Sequence, residues 1–138
     1  MLFAETQRSL TILIVEDDAL LRKLLATVLA KDGYRVLLAG DGRDAIGLFR
    51  QEPEVSLVLL DWTMPGMNGD RVYDELLCIR DGVPVIVMSG SPQGDVLQAF
   101  DGRPVSSFIQ KPFLSRVLCD TIRTALAAGN GRLDGEAT

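Results

Sequence analysis

The chain has 138 residues, 47% of them apolar and 24% charged, the size and balance of one globular domain that buries its own core. Its net charge of −5, with no Lys/Arg cluster, makes it a poor electrostatic match for nucleic acid or anionic lipid. It contains no histidine, which excludes Ser–His or Cys–His catalysis, His metal ligation and a phosphohistidine on this chain.

Taken in chain order, apolar runs and turn signals alternate with a steady beat. Residues 11–15 (TILIV) predict a strand, and 19–31 a helix, in which Leu21, Leu24, Leu25, Val28 and Leu29 recur at helical spacing. Asp32–Gly33 closes that helix, and Gly33 is free to take a positive φ. A second strand is expected over 35–39 and a second helix over 43–51, which Pro53 stops. The nearly all-apolar run 55–60 predicts a central strand covered on both faces. Residues 70–80 predict helix three, 84–88 strand four, 94–100 a short helix four, 105–109 strand five, and 114–128 helix five. Helix five is expected to face inward through Leu114, Val117, Leu118, Ile122 and Ala125. No apolar run nears the ~18 residues of a membrane span. Residues 1–10 show no signal pattern, so a cytoplasmic protein is expected. Cys78 and Cys119 fall in helical patterns; the count admits a disulfide, and a reducing compartment favours two free, packed thiols.

Five βα units in strict alternation imply an α/β fold with a doubly wound parallel sheet of five strands. The expected order is 2-1-3-4-5, flavodoxin-like, with ligands bound outside the C-terminal strand ends where the order reverses. The organisation expected is an extension over 1–9, one domain over 10–128, and a small, polar, Gly-rich tail or linker over 129–138.

Those strand ends carry the chemistry. Strand one runs into Glu16, Asp17 and Asp18, strand three into Asp61, strand four into Ser89, and strand five into Lys111–Pro112. Crowded carboxylates repel, and a divalent cation removes the conflict. Oxygen-only ligands suit Mg²⁺, which keeps several waters and typically borrows one or two carboxylates plus a phosphate oxygen. Asp61 is then a nucleophile able to form an acyl phosphate, Lys111 a balancing charge, and Ser89 a hydrogen-bond donor to a phosphoryl oxygen. Asp18 is expected to cap helix one rather than bind metal. Asp41 and Asp44 are expected to flank helix two as cap and solvent face, and Gly66 and Gly69 to serve positive-φ turns.

The segments ILIVEDD (12–18), LVLLDWTMPGMNG (57–69), VIVMSG (85–90) and FIQKPF (108–113) resemble the receiver domain of two-component response regulators. The resemblance covers residues 10–128 and implies specific roles. Asp61 matches the phosphoacceptor, and Glu16 and Asp17 the acidic pair, with Asp17 the direct Mg²⁺ ligand and Glu16 acting through water. The backbone carbonyl of Thr63 matches a third protein ligand, Ser89 the switch hydroxyl, Phe108 the switch aromatic and Lys111 the phosphate-binding lysine. The bond before Pro112 is expected to be cis. Gly90 stands where alanine is common, Phe108 where tyrosine is frequent, and Trp62 beside the acceptor offers a fluorescence probe. Thr63 and Ser91 are small and neither is a general base, so no dedicated fast dephosphorylation is expected.

The implied protein is a phosphorylation switch and not an enzyme. Its donor is a sensor histidine kinase or a histidine phosphotransfer protein, and its downstream partner is unassigned, with no direct nucleic-acid or membrane contact. Phosphorylation is expected to change the surface of helix four, strand five and helix five. The alternatives are a receiver segment of a hybrid histidine kinase, a phosphorelay shuttle, a degenerate receiver acting as a binding module, or an aspartyl phosphatase of the haloacid dehalogenase type. That last family needs a second Asp two residues after the nucleophile, where this chain has Thr63. A flavin binder fits least, because an acidic crevice repels a flavin phosphate.

Overall fold

The computed structural model of the chain describes residues 10–64, 66–91 and 102–137. In chain order the elements are β1 (Thr11–Val15), α1 (Ala19–Lys31), β2 (Arg35–Ala39), α2 (Gly42–Gln51), β3 (Val55–Asp61), α3 (Gly69–Ile79), β4 (Val85–Ser89), β5 (Ser107–Gln110) and α4 (Ser115–Ala137). The short helix expected over 94–100 and the extension over 1–9 lie outside the described residues, so α4 here is the fifth helix of the sequence pattern. All strands pair in parallel in the order β2-β1-β3-β4-β5, as expected. Among the described residues no helix is long and apolar enough to cross a membrane.

Side chains alternate across a strand, so the apolar runs feed two cores. Leu13, Val15, Val58, Leu60 and Val87 pack with Ala45 and Phe49 of α2 and Val72, Tyr73 and Leu76 of α3. Ile12, Ile14, Leu57, Leu59, Ile86 and Met88 pack with Leu25 and Leu29 of α1 and Leu118, Ile122 and Ala125 of α4. The continuous apolar runs of β1 and β3 follow from cover on both faces. Caps set the helix starts: Asp18 accepts from the amides of Leu20 and Leu21, and Asp41 from the amide of Asp44.

The structure corrects several expectations. Leu114 and Val117 do not face inward; they are 63% and 44% exposed, and Leu24 in the apolar row of α1 is 58% exposed. At 100° per residue the rows Leu25–Leu29 and Leu118–Ile122–Ala125 already fill the contact with the sheet, and Leu114 precedes its helix. Cys78 is exposed rather than packed, although both cysteines are free thiols as expected. Strand five begins at Ser107, two residues later than its pattern, although the Ser106 amide already donates to the Val85 carbonyl at 2.8 Å. The last helix runs to Ala137 rather than ending at 128, since no proline follows Pro112 and glycine lowers helix propensity without breaking the hydrogen-bond ladder. Gly33 and Gly66 have φ of 98° and 89°, whereas Gly69 has no positive φ. Gly69 is needed for a close approach instead: a Cβ there would lie 2.8 Å from the Trp62 backbone.

Candidate functional site

Glu16 and Asp17 leave the end of β1, and Asp61 closes β3 on the neighbouring strand. Because parallel strands end on one edge, carboxylates 45 positions apart in the chain meet there: oxygens of Glu16, Asp17 and Asp61 all lie within 4.8 Å of one another. Glu16 and Asp61 are buried, at 1% and 3% exposure, and Asp17 is exposed. Lys111, just past β5, reaches back so that its Nζ lies 2.8 Å from Glu16 Oε1 and 3.5 Å from Asp61 Oδ2. Its amide donates to the Ser89 carbonyl at 2.7 Å, and the Lys111–Pro112 bond is cis.

The remaining polar contacts are short and local. Glu16 Oε2 accepts the amide of Asp18 at 3.1 Å, and Asp61 Oδ1 accepts the amide of Thr63 at 3.2 Å. Ser89 ends β4 beside Asp61, is 1% exposed, and its Oγ accepts the amide of Ser91 at 3.0 Å. Phe108 lies on β5 opposite Val87 and is half-buried against the core on the α2–α3 face. Thr63 is exposed, and Trp62 packs beneath the loop with its amide bonded to the Met88 carbonyl at 2.9 Å.

Burial and the nearby Glu16 charge push the Asp61 carboxyl up to about 7, against the pull of Lys111 and the Thr63 amide. Burial alone would lower the Lys111 ammonium, but its bond to Glu16 and the charge of Asp61 outweigh that and raise it. Three carboxylates, two of them buried, against one ammonium leave a negative excess at this end of the sheet. An all-oxygen donor set with that excess fits a hard divalent cation such as Mg²⁺, held through Asp17, Asp61 and Glu16.

The strand-end pattern anticipated Glu16, Asp17, Asp61 and Lys111, and the structure brings all four together. One neighbour escaped it. Arg22 of α1 donates from Nη1 to the Glu16 carbonyl at 2.7 Å and reaches the Asp17 carbonyl at 3.5 Å. The available signal was an arginine four residues beyond the helix cap, whose side chain leans toward the helix N-terminus.

Comparison with known proteins agrees with the fold. A family model described as the response regulator receiver domain matches residues 12–123. A probable transcriptional regulator, ycf27, of Guillardia theta is 38% identical over 122 residues, covering 86% of this chain and 46% of its own length. The DNA-binding response regulator MtrA of Mycolicibacterium paratuberculosis is 35% identical over 116 residues, covering 83% of this chain and 50% of its own. The chain thus spans about half the length of the curated relatives it matches. A CheY-like receiver domain protein from Methanospirillum hungatei superposes with a TM-score of 0.80 at 23% identity, over 89% of this chain and 98% of that one, which supports the fold alone. The receiver domain of the hybrid histidine kinase CckA superposes at 0.72 with 27% identity, over 84% and 98%. This chain belongs to the response regulator receiver domain family of two-component signalling.

Proposed function

We propose that this chain is a phosphorylation switch in which Asp61 takes a phosphoryl group from a phosphohistidine of a partner kinase or phosphotransfer protein. The observation that carries the reading is the buried Asp61 carboxylate with Lys111 Nζ at 3.5 Å and two further carboxylates at hand. In the transfer an Asp61 oxygen attacks phosphorus, a P–O bond forms and the P–N bond breaks. The imidazole of the donor leaves with the electron pair and takes a proton from water.

Asp61 must be ionised to attack, and in the bare pocket burial and the Glu16 charge push its carboxyl up to about 7. A Mg²⁺ ion held there would neutralise charge on the carboxylates and the phosphoryl group and so favour the ionised form of Asp61. Asp17 and Asp61 would hold it directly, with the Thr63 carbonyl, and Glu16 through water. Lys111 holds negative charge at the acceptor, and the Ser89 hydroxyl donates to a phosphoryl oxygen. Drawing Ser89 and Lys111 onto the new group frees space at the end of β5, into which Phe108 turns. The surface of β5 and α4 then differs between the two states, and a partner that prefers one state reads it. The exposed Leu20 and Leu24 beside the acidic loop offer the donor an apolar surface. The relatives include transcriptional regulators and a hybrid kinase, so the output read from this surface is transcription or phosphorelay.

The test is uptake of label from a small phosphodonor such as acetyl phosphate. Wild-type protein should take up one phosphoryl group with Mg²⁺ and none with chelator, and Asp61→Asn should take up none. Label on Asp61→Asn at the wild-type rate overturns the assignment. Hydrolysis of p-nitrophenyl phosphate over many turnovers would favour the phosphatase reading, against which Thr63 stands in place of the acid that reading needs.

A further inference from the structure

Arg22 is placed where helix electrostatics argue against a cation. It lies on the first turns of α1, and its own amide donates to the Asp18 cap carbonyl at 2.8 Å. The helix macrodipole disfavours positive charge there. Its guanidinium is nevertheless turned back over the helix start onto the carbonyls of Glu16, at 2.7 Å, and Asp17, at 3.5 Å. A space is kept for it: a Cβ at Gly40 would lie 3.1 Å from Arg22 Nη1.

The need for such a clamp follows from how the two acids are held. Glu16 is fixed at several points: its amide bonds the Ala39 carbonyl at 3.0 Å, and its carboxylate meets Lys111 at 2.8 Å and the Asp18 amide at 3.1 Å. Asp17 has an exposed carboxylate with no hydrogen bond or ion pair among the described residues. Its backbone aims it, and among the described residues Arg22 is the side chain that bonds the carbonyls of that backbone, while Glu16 Oε2 accepts the amide that follows. We infer that Arg22, seated against Gly40, is a positioning residue that sets the Glu16–Asp17 backbone so that the Asp17 carboxylate faces the cation site. The inference rests on the Mg²⁺ reading above and adds a residue to it.

Arg22 has two opposed effects on a bound cation, and variants separate them. As a clamp it helps; as a positive charge near the site it repels. Mg²⁺ affinity is read by titration calorimetry and by Trp62 fluorescence on the full chain, and stability by urea unfolding in chelator. Arg22→Met should weaken Mg²⁺ binding about tenfold, the scale of losing a group that orients a metal ligand. Arg22→Lys, able to reach one carbonyl, should recover part of that loss. Gly40→Ala should weaken binding about threefold and add nothing in the Arg22→Met background, because both changes act through the same guanidinium. Ala30→Gly, on the exposed side of α1, lowers stability without touching the loop and should leave affinity unchanged.

Wild-type affinity or tighter binding in Arg22→Met overturns the inference and leaves the charge as the only effect. So does equal weakening in Arg22→Met, Arg22→Lys and Ala30→Gly, which would mark a stability effect. A wild-type protein without any Mg²⁺ response overturns the metal reading itself, and this inference with it.

Discussion

The two edges of the sheet use the same side-chain chemistry to different ends. At the edge where the strands begin, Arg35 meets Glu54 at 2.7 Å and Glu52 at 3.7 Å. At the edge where they finish, Lys111 meets Glu16 at 2.8 Å and Asp61 at 3.5 Å. Both are one cation against two glutamate or aspartate side chains at similar distances. The first cluster is open to water: its bond to Arg35 holds the Glu54 carboxyl below the usual range, and solvent screens the rest. The second is buried, and there burial itself dominates and lifts Asp61 to about 7. Burial, with Asp17 as a third carboxylate alongside, turns the second trio into a pocket that favours a cation while the first stays a surface ion pair.

The sharpest way to break this comparison is to remove the stressed carboxylate. The Asp61 pKa is raised in the folded protein above its ordinary 3.8, so the fold binds the extra proton. Its stabilising effect is full below about pH 4 and is lost as pH rises through about 7. Metal-free wild-type protein should therefore lose stability over that window, by on the order of 4 kcal/mol. Asp61→Asn should flatten the slope and be the more stable protein at pH 8, by urea unfolding in chelator. A flat wild-type profile would refute the burial argument.

Removing the half-buried Lys111 cation should act in the other direction. Lys111→Met leaves Glu16 and Asp61 facing each other, at a cost of about 3 kcal/mol near neutral pH, most of which acid or Mg²⁺ should restore. A smaller effect is expected from the floor of the pocket. Gly69→Ala places a Cβ against the Trp62 backbone and should cost about 2 kcal/mol, with a shift in Trp62 emission as the loop after Asp61 moves. At the opposite edge, Arg35→Ala should leave the unfolding midpoint where it was, because that trio is solvated. A loss from Arg35→Ala comparable to that from Lys111→Met would erase the contrast.

Much of this was legible in the residues. The β-branched runs 11–15 and 85–88 and the fully apolar 55–60 mark strands covered on both faces, and the βα alternation implies the strand order. Asp18 and Asp41 announce their helix starts. Helix faces were less legible: Leu24, Leu114 and Val117 fit an apolar stripe, yet only part of that stripe meets the sheet. Gly69 shows the same limit, since a glycine in a loop suggests a turn and nothing in the local sequence reveals the Trp62 backbone beside it.

By itself, then, the sequence determined the strands, the parallel order and the set of acids at the strand ends, because those depend on local periodicity and on the few ways βα units wind. Only tertiary structure decided how those acids behave. The rise of the Asp61 pKa, the reach of Lys111 across from β5 and the grip of Arg22 on two backbone carbonyls depend on which groups water no longer reaches. That exclusion is a property of packed surfaces and is written at no single position in the chain.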